Sequence, residues 1–291
     1  MSKKIRSLCA IICTAALMLS LCVSVNAGFL EGADISELPR DVFDEIPIYA
    51  NDEYIGNALK HGDTCYALIP DFCEKLLGEK CSLSWSSADT TLTVGSGDTR
   101  LYFNLEHRYL CVNDRYIYLE DGVFNVEGCL YVPIRALAKA FDAAVDWCSD
   151  SGSISISYTP GQLIANGSSY YDAVDLYWLS RVIYAESGNQ SMAGMMGVGN
   201  VVLNRVRDSS GLFPNSIHGV IFQENQFSVV DSGSIYMEPK PHCVVAAKLC
   251  LEGYNTVEDC LFFINPSICS SYWFDTYRVF YASIGDHDFY A

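Results

Sequence analysis

The sequence predicts an α+β protein in two parts: a strand-rich first half, then a mainly helical second half with a small β-sheet. Three observations predict it. From Ile46 to about Tyr158 the chain runs in short alternating or apolar stretches, such as Arg100-Leu-Tyr-Phe-Asn-Leu and Arg115-Tyr-Ile-Tyr-Leu, bounded by Gly, Asp and Asn turns. Thr159 to Ser169 (TPGQLIANGSS) then breaks the pattern with one Pro, two Gly and three Ser/Thr, the composition of a hinge. Beyond it, apolar residues recur at spacings of three and four, as on one face of a helix.

Taken in order, residues 1–27 read as an export leader. Lys3, Lys4 and Arg6 precede an apolar run from Leu8 to Val25, and Val25-Asn26-Ala27 offers a small-residue cleavage site. The apolar run retained as an anchor is the alternative. Cys22 follows Leu21 rather than a small residue, which argues against a lipoprotein anchor. No later segment is long and apolar enough to span a bilayer. Residues 28–45, acidic and without periodicity, read as a linker, and 46–158 as the strand-rich domain. Within that domain an approximate repeat occurs. A short helix candidate, Phe72 to Leu77, is followed by Trp85 and Leu92-Thr-Val; a second, Ile134 to Phe141, is followed by Trp147 and Ile154-Ser-Ile. In both copies a strand begins seven residues after the tryptophan, which predicts a duplicated helix-turn-strand unit.

Residues 159–171 form the hinge and 172–291 the helical domain. A first helix runs Asp172 to Glu186 and stops at Gly188-Asn189. Ser191 caps a second helix to Arg207, whose buried face is Met192, Met195, Gly199, Val202, Leu203 and Val206. A third helix runs His242 to Leu251 and ends at Gly253. Leu261-Phe-Phe-Ile, Tyr277-Arg-Val-Phe-Tyr and Asp288-Phe-Tyr complete the chain as aromatic strands.

Composition narrows the function. The formal charge is −17, and removing the three positive charges of residues 1–27 takes it to −20. Nucleic acid repels such a surface, and anionic lipid offers it no attraction. Any anionic polymer it binds is held by local shape. Ten cysteines follow the leader: Cys65, Cys73, Cys81, Cys111, Cys129 and Cys148 early, Cys243, Cys250, Cys260 and Cys269 late. Even numbers in each half of an exported chain favour disulfides within domains, against buried free thiols in a reducing setting. No zinc spacing and no HExxH occurs, and no cofactor is expected.

The residue that carries chemistry is Glu186. Leu176, Leu179, Ile183 and Glu186 continue one helical stripe, so this carboxyl points toward the core. Burial disfavours its charged form, and an acid that keeps its proton near neutral pH is what glycosidic cleavage asks of a proton donor. A glutamate at a helix end reaching water beside Ser187-Gly188-Asn189 is the competing reading.

Four segments in order, LSRVIYAESGNQSMAGMMGVGNVVLNRV, FPNSIHGVIFQENQFSVV, LFFINP and IGDHDFYA, resemble the SleB/CwlJ cell wall hydrolase family from near Leu176 to the C-terminus. The resemblance implies a lysozyme-like fold. It also implies cleavage of the peptidoglycan glycan strand between N-acetylmuramic acid and N-acetylglucosamine, in spore cortex lysis or wall remodelling. It places the essential glutamate in Ala185-Glu186. It implies a lytic transglycosylase, in which one carboxyl protonates the leaving oxygen and then takes the proton of the muramoyl C6 hydroxyl to close a 1,6-anhydro ring. Hydrolysis would instead use a partner carboxylate about 5–9.5 Å away, with Glu224, Asp231 and Asp286 as candidates. Asn200 and Asn204, four apart on one helix face, are candidate sugar ligands, with helix-packing hydrogen bonds as the alternative. Gln226, Asn265 and His287 match family positions, and Tyr184, Tyr272 and Trp273 offer stacking faces. Members carry Ala-Glu-Ala then Arg-Gly-Glu where this chain has Ala-Glu-Ser-Gly-Asn-Gln, which puts substrate preference in question. Leu130-Tyr-Val-Pro-Ile-Arg-Ala-Leu-Ala-Lys-Ala-Phe with Val145-Asp-Trp resembles the copper-amine-oxidase N-terminal-like stalk domain, a non-catalytic module expected to make wall or protein contacts. No copper chemistry follows from that name, and His61 and His107 read as ordinary surface or hydrogen-bonded residues. The protein is thus expected outside the membrane, secreted or envelope-associated, with peptidoglycan as partner. A wall-binding protein without activity, or a cysteine peptidase using Cys243 or Cys250, are the alternatives.

Overall fold

The computed structural model describes residues 35–270 and 272–291; the leader and the first part of the linker lie outside the described residues. The strand-rich half is built on β1 (Ser36–Glu37), β2 (Asp44–Ala50), β3 (Glu53–His61), β4 (Thr64–Leu68), α1 (Ile69–Leu77), β5 (Ser82–Ser86), β6 (Thr91–Ser96), β7 (Thr99–Asn104), β8 (Tyr109–Val112), β9 (Arg115–Tyr118), β10 (Phe124–Val126), β11 (Cys129–Pro133), α2 (Ile134–Ala140), β12 (Ala144–Cys148) and β13 (Ser153–Ser157). An eight-stranded sheet runs β1-β10-β11-β4-β3-β2-β13-β12, and a five-stranded meander runs β5 to β9. One core joins both sheets and the two helices, with Ile48, Phe72, Phe103, Leu110, Leu137 and Phe141 buried in it.

The duplication is larger than the sequence predicts. Each copy is a hairpin, a helix and a second hairpin: β3-β4-α1-β5-β6 and β10-β11-α2-β12-β13. The copies meet where β4 and β11 pair antiparallel, Ala67 opposite Val132. The seven-residue spacing has a simple cause, because the tryptophan lies directly across a hairpin from the residue seven on. Trp85 pairs with Leu92, and Trp147 with Ile154. Asn51-Asp52 and Asn113-Asp114 turn their hairpins with both residues at positive φ (47° and 66°, 51° and 60°), the two-residue turn that matches strand twist.

The segment expected to be a linker is structured from Ile35 onward. β1 pairs in parallel with β10, and Phe43 is buried against His61 and Phe124. His61 therefore packs in an aromatic cluster.

The helical half comprises α3 (Gly167–Tyr170), α4 (Ala173–Ser187), α5 (Met192–Arg207), α6 (Ile217–Ile221), α7 (Ser228–Asp231), α8 (Pro241–Leu251), β14 (Phe262–Ile264), α9 (Tyr272–Tyr277), β15 (Phe280–Ile284) and β16 (His287–Tyr290). Asp172 caps α4 by accepting from the Val174 and Asp175 amides, and Ser191 caps α5 through the Gly194 amide. Helix α5 is buried almost all round rather than on one stripe, as a central helix must be. Its glycines allow this: a Cβ on Gly197 would sit 2.7 Å from the Phe289 ring, and one on Gly199 would sit 2.9 Å from both Cys250 Sγ and Ile183. The three-stranded sheet β14-β16-β15 closes over α5. Of Tyr277-Arg-Val-Phe-Tyr, expected as a strand, Tyr277 ends the helix Tyr272–Tyr277 and the strand starts only at Phe280. No helix among the described residues is long and apolar enough to cross a membrane.

The expected hinge is fastened rather than free. Asn166 caps α3, the Gly167 amide donates to the Asn113 carbonyl at 2.8 Å, and Asn113 Nδ2 donates to the Ile164 carbonyl at 2.9 Å. A Cβ on Gly167 would sit 2.4 Å from the Asp114 carbonyl oxygen, so only glycine permits this approach. Beside it, Arg115 grips Glu252 with Nε and Nη2, while Tyr171 Oη donates to the same carboxylate at 2.8 Å and Lys139 stands 3.4 Å away. The Glu252 side chain is fully buried. Burial pushes its pKa up, but the hydrogen bonds from Arg115 and Tyr171 and the Lys139 charge outweigh that and leave it below the usual carboxylate value. Lys248 pairs with Asp114 across the same junction.

The expectation of disulfides is not met: all ten described cysteines are free thiols. Of the late ones Cys243, Cys250 and Cys260 are buried, Cys243 against Met195 Sδ and Cys250 donating to the Met196 carbonyl, while Cys269 is exposed.

Candidate active site

Glu186 stands in the last turn of α4, which packs on α5, α6, α7 and α8. The residues around it divide by burial. Leu179, Val182 and Ile183 face the core, Ser187 is fully buried and returns its hydroxyl to the Ile183 carbonyl at 2.9 Å, and Glu186 is half-buried at the rim. No described residue forms an ion pair with its carboxylate. Burial alone pushes its pKa up to about 6. The side chain thus continues the stripe read from the sequence but is only half-buried, combining both positions weighed for it.

Helix α8 and the β15–β16 turn hold the Ser187–Gln190 loop. Gly188 lets the chain turn, since a Cβ there would sit 2.6 Å from both the Tyr184 ring and its carbonyl oxygen. His242, at the start of α8, meets the Gly188 carbonyl through Nε2 at 3.2 Å. A carbonyl only accepts, so Nε2 carries the proton. Gln190 clasps the β15–β16 turn: its Oε1 accepts from the Asp286 amide at 3.0 Å, and its Nε2 donates to Asp286 Oδ2 at 2.7 Å. Gly285 at the turn has φ +60°, and a Cβ there would meet Gln190 Oε1. These partners lie 54 and 96 residues from the loop, and no sequence signal pointed to them.

The other candidates are scattered in role. Asn200 is buried, donating to the Tyr254 carbonyl at 2.8 Å and accepting from the Thr256 amide at 3.0 Å. Asn204 donates to the Glu258 and Cys260 carbonyls at 2.7 and 2.9 Å. Both amides hold the 254–260 loop on α5, the helix-packing role that stood as the alternative to sugar contact. Asn265 turns its own loop, accepting from the Ser267 amide and hydroxyl. Tyr184 is half-buried against the helical core, and its ring covers Gly188. Gln226 is exposed between α6 and α7. Tyr272 and Trp273 are exposed, Trp273 edge-on to Phe274 and with Arg278 over its ring.

His287 is buried on β16, edge-on to Phe263 at 5.2 Å, and burial lowers its pKa despite the flanking Asp286 and Asp288. Its Nδ1 is buried without a hydrogen-bond partner among the described residues. Sequence reasoning missed Arg205. It is buried among the Phe213, Phe227 and Phe262 rings, donates to the Leu261 carbonyl at 2.7 Å, and is pushed down to about 10 by burial.

Comparison with known proteins meets this geometry from two sides. Residues 189–290, starting just after Glu186, match the family described as Cell Wall Hydrolase, and residues 66–156 match the Copper amine oxidase N-terminal domain. The spore cortex-lytic enzyme of Bacillus cereus is 33% identical over 44% of this chain and 48% of its own length. That of Bacillus subtilis strain 168 is 34% identical over 34% of this chain and 32% of its own. The chain thus spans half or less of these relatives. The crystallised catalytic domain of the germination-specific lytic transglycosylase SleB from Bacillus anthracis is 32% identical, covering 44% of this chain and all of that one, with a TM-score of 0.39. By the family matches, residues 189–290 are a cell wall hydrolase domain and residues 66–156 a copper amine oxidase N-terminal domain.

Proposed function

We propose that the protein cleaves the peptidoglycan glycan strand between N-acetylmuramic acid and N-acetylglucosamine as a lytic transglycosylase, with Glu186 as general acid and then general base. The observation that carries this is a rim carboxyl with no ionic partner among the described residues, lifted to about 6 by burial alone. Such a group holds its proton in mildly acidic medium and loses it readily in the next step.

In the first step the Glu186 proton passes to the glycosidic oxygen, the bond to the muramoyl C1 breaks, and positive charge develops on the sugar ring. The carboxylate now formed takes the C6 hydroxyl proton while O6 bonds to C1. The acid is regenerated, and a 1,6-anhydro-muramoyl end and a free N-acetylglucosamine hydroxyl are left. No water is consumed. Gln190, Asp286 and His242 position the loop that directly follows the acid. Exposed Gln226, Trp273 and Tyr272, with the Tyr184 ring, are the proposed substrate-facing groups, and buried His287 is proposed as an orienting group. Among the relatives, the names point to spore cortex during germination, and wall remodelling outside the membrane is the broader setting for this chain.

The test is digestion of purified sacculi by the full chain and by Glu186→Gln. Release of soluble fragments by the first and none by the second supports the proposal. Sedimentation with sacculi and no release by either would favour a wall-binding protein.

A further inference from the structure

We propose that the strand-rich half carries a second binding site for the wall polymer, a groove at Trp147 that takes a sugar ring and the carboxylates of its attached peptide. Trp147 lies on β12, the edge strand of the eight-stranded sheet, and is 54% exposed. An indole is among the largest apolar surfaces a chain can bury, and this one is left half open. The duplication sharpens the point. Trp85, the same residue of the other copy, packs against the core, so the repeated unit does not itself require an outward ring.

Around Trp147 is a groove of about 340 Å³ lined also by Lys60, Asp63, Asp121, Arg135 and Asp146. That volume lies within the range of small-ligand sites. None of these five charged residues forms an ion pair with a described residue. Asp121 accepts from the Thr64 hydroxyl at 2.9 Å, and Arg135 reaches the Val145 carbonyl only at 3.5 Å. Two cations thus stand unpaired on a chain whose net charge is −17. An aromatic face suits the C–H side of a sugar ring. The carboxylates accept from hydroxyl and amide N–H groups, and Lys60 and Arg135 pair with peptide carboxylates. A bare polyanion such as nucleic acid meets three carboxylates here and is disfavoured.

The fastened junction gives the groove its use. Arg115, Glu252 and the Asn113–Gly167 contacts hold it at a fixed place relative to Glu186, so one strand engaging both sites gains effective concentration. The inference rests on the cleavage reading for the identity of the polymer, not for the existence of the groove.

The test uses the full chain carrying Glu186→Gln, so that the wall is not consumed, and measures sedimentation with purified sacculi. Adding Trp147→Ala is expected to weaken binding roughly 5- to 30-fold, as loss of an aromatic anchor does. Trp147→Phe should recover most of it, and Tyr102→Ala, an exposed aromatic on β7, should change nothing. Sacculi stripped of peptide by an amidase should bind more weakly and lose their sensitivity to Lys60→Gln. Binding unchanged to within about twofold in Trp147→Ala overturns the proposal. So does a Trp147-dependent protein partner captured while sacculus binding stays intact. If the parent chain releases no fragments yet binds through Trp147, the cleavage reading fails and the groove stands.

Discussion

Replacing Glu186 by glutamine should stabilise this protein, and only above a defined pH. Burial lifts the carboxyl from 4.5 to about 6. At about 1.4 kcal/mol per pKa unit, that shift is worth ~2 kcal/mol. Below pH 4.5 the group is protonated whether the chain is folded or unfolded, and the site costs nothing. As the pH rises from 4.5 through 6, the unfolded chain ionises freely while the native carboxyl must ionise where burial disfavours charge. Native stability is lost over that window, and the loss is complete by pH 7. Glutamine keeps the shape and carries no charge, so Glu186→Gln should match the parent at pH 4 and exceed it by up to ~2 kcal/mol at pH 7.5. Urea unfolding of both proteins at the two pH values reads this directly. A gap of equal size at both, or a parent that is the more stable at pH 7.5, would refute the assignment of a desolvated acid at this position.

Further outcomes follow from the same geometry. Fragment release from sacculi should fall as pH rises through about 6, approaching tenfold per unit above it, because the first step needs the protonated acid; a pH profile of initial rates checks this. Arg115→Ala should destabilise the chain by about 3 kcal/mol, leaving buried Glu252 with only Lys139 and Tyr171, and adding Glu252→Gln should return much of the loss; thermal melts of the single and double variants measure it. Gln190→Ala removes both hydrogen bonds to Asp286 and should lower activity while costing only about 1–2 kcal/mol. Faster amide exchange at residues 284–287, with the rest of the chain unchanged, is its signature.

What could be read from the sequence was what is local. Asp172 and Ser191 mark the helices they cap because a cap acts over three residues, and the Glu186 stripe is a property of one helix. The two tryptophan-to-strand spacings were legible because a tight hairpin fixes the distance between residues that face each other. The Gln190–Asp286 clasp and the Arg115–Glu252 junction join residues 96 and 137 apart, and no periodicity carries that information. Asn200 and Asn204 show what a shared helix face leaves open: an amide on α5 looks the same in sequence whether it turns to a ligand or to the 254–260 loop. The hinge was misread for a related reason. Its Pro and Gly content reports how the chain bends, but Gly167 is there to let the Asp114 carbonyl come close, which tightens the junction. The cysteines were misjudged because an even count says nothing of distance, and buried positions such as Cys73 and Cys250 are filled by thiols as small apolar groups.

The central claim is that one carboxyl serves as both acid and base, with no water in the step. Mass spectrometry of the glycan fragments released from purified sacculi tests it most directly. A single-carboxylate step gives 1,6-anhydro-muramic ends, about 18 Da lighter than the hydrolysed product because no water is added. Reducing muramic ends would contradict it and would place a second carboxylate, among Glu224, Asp231 and Asp286, in the reaction.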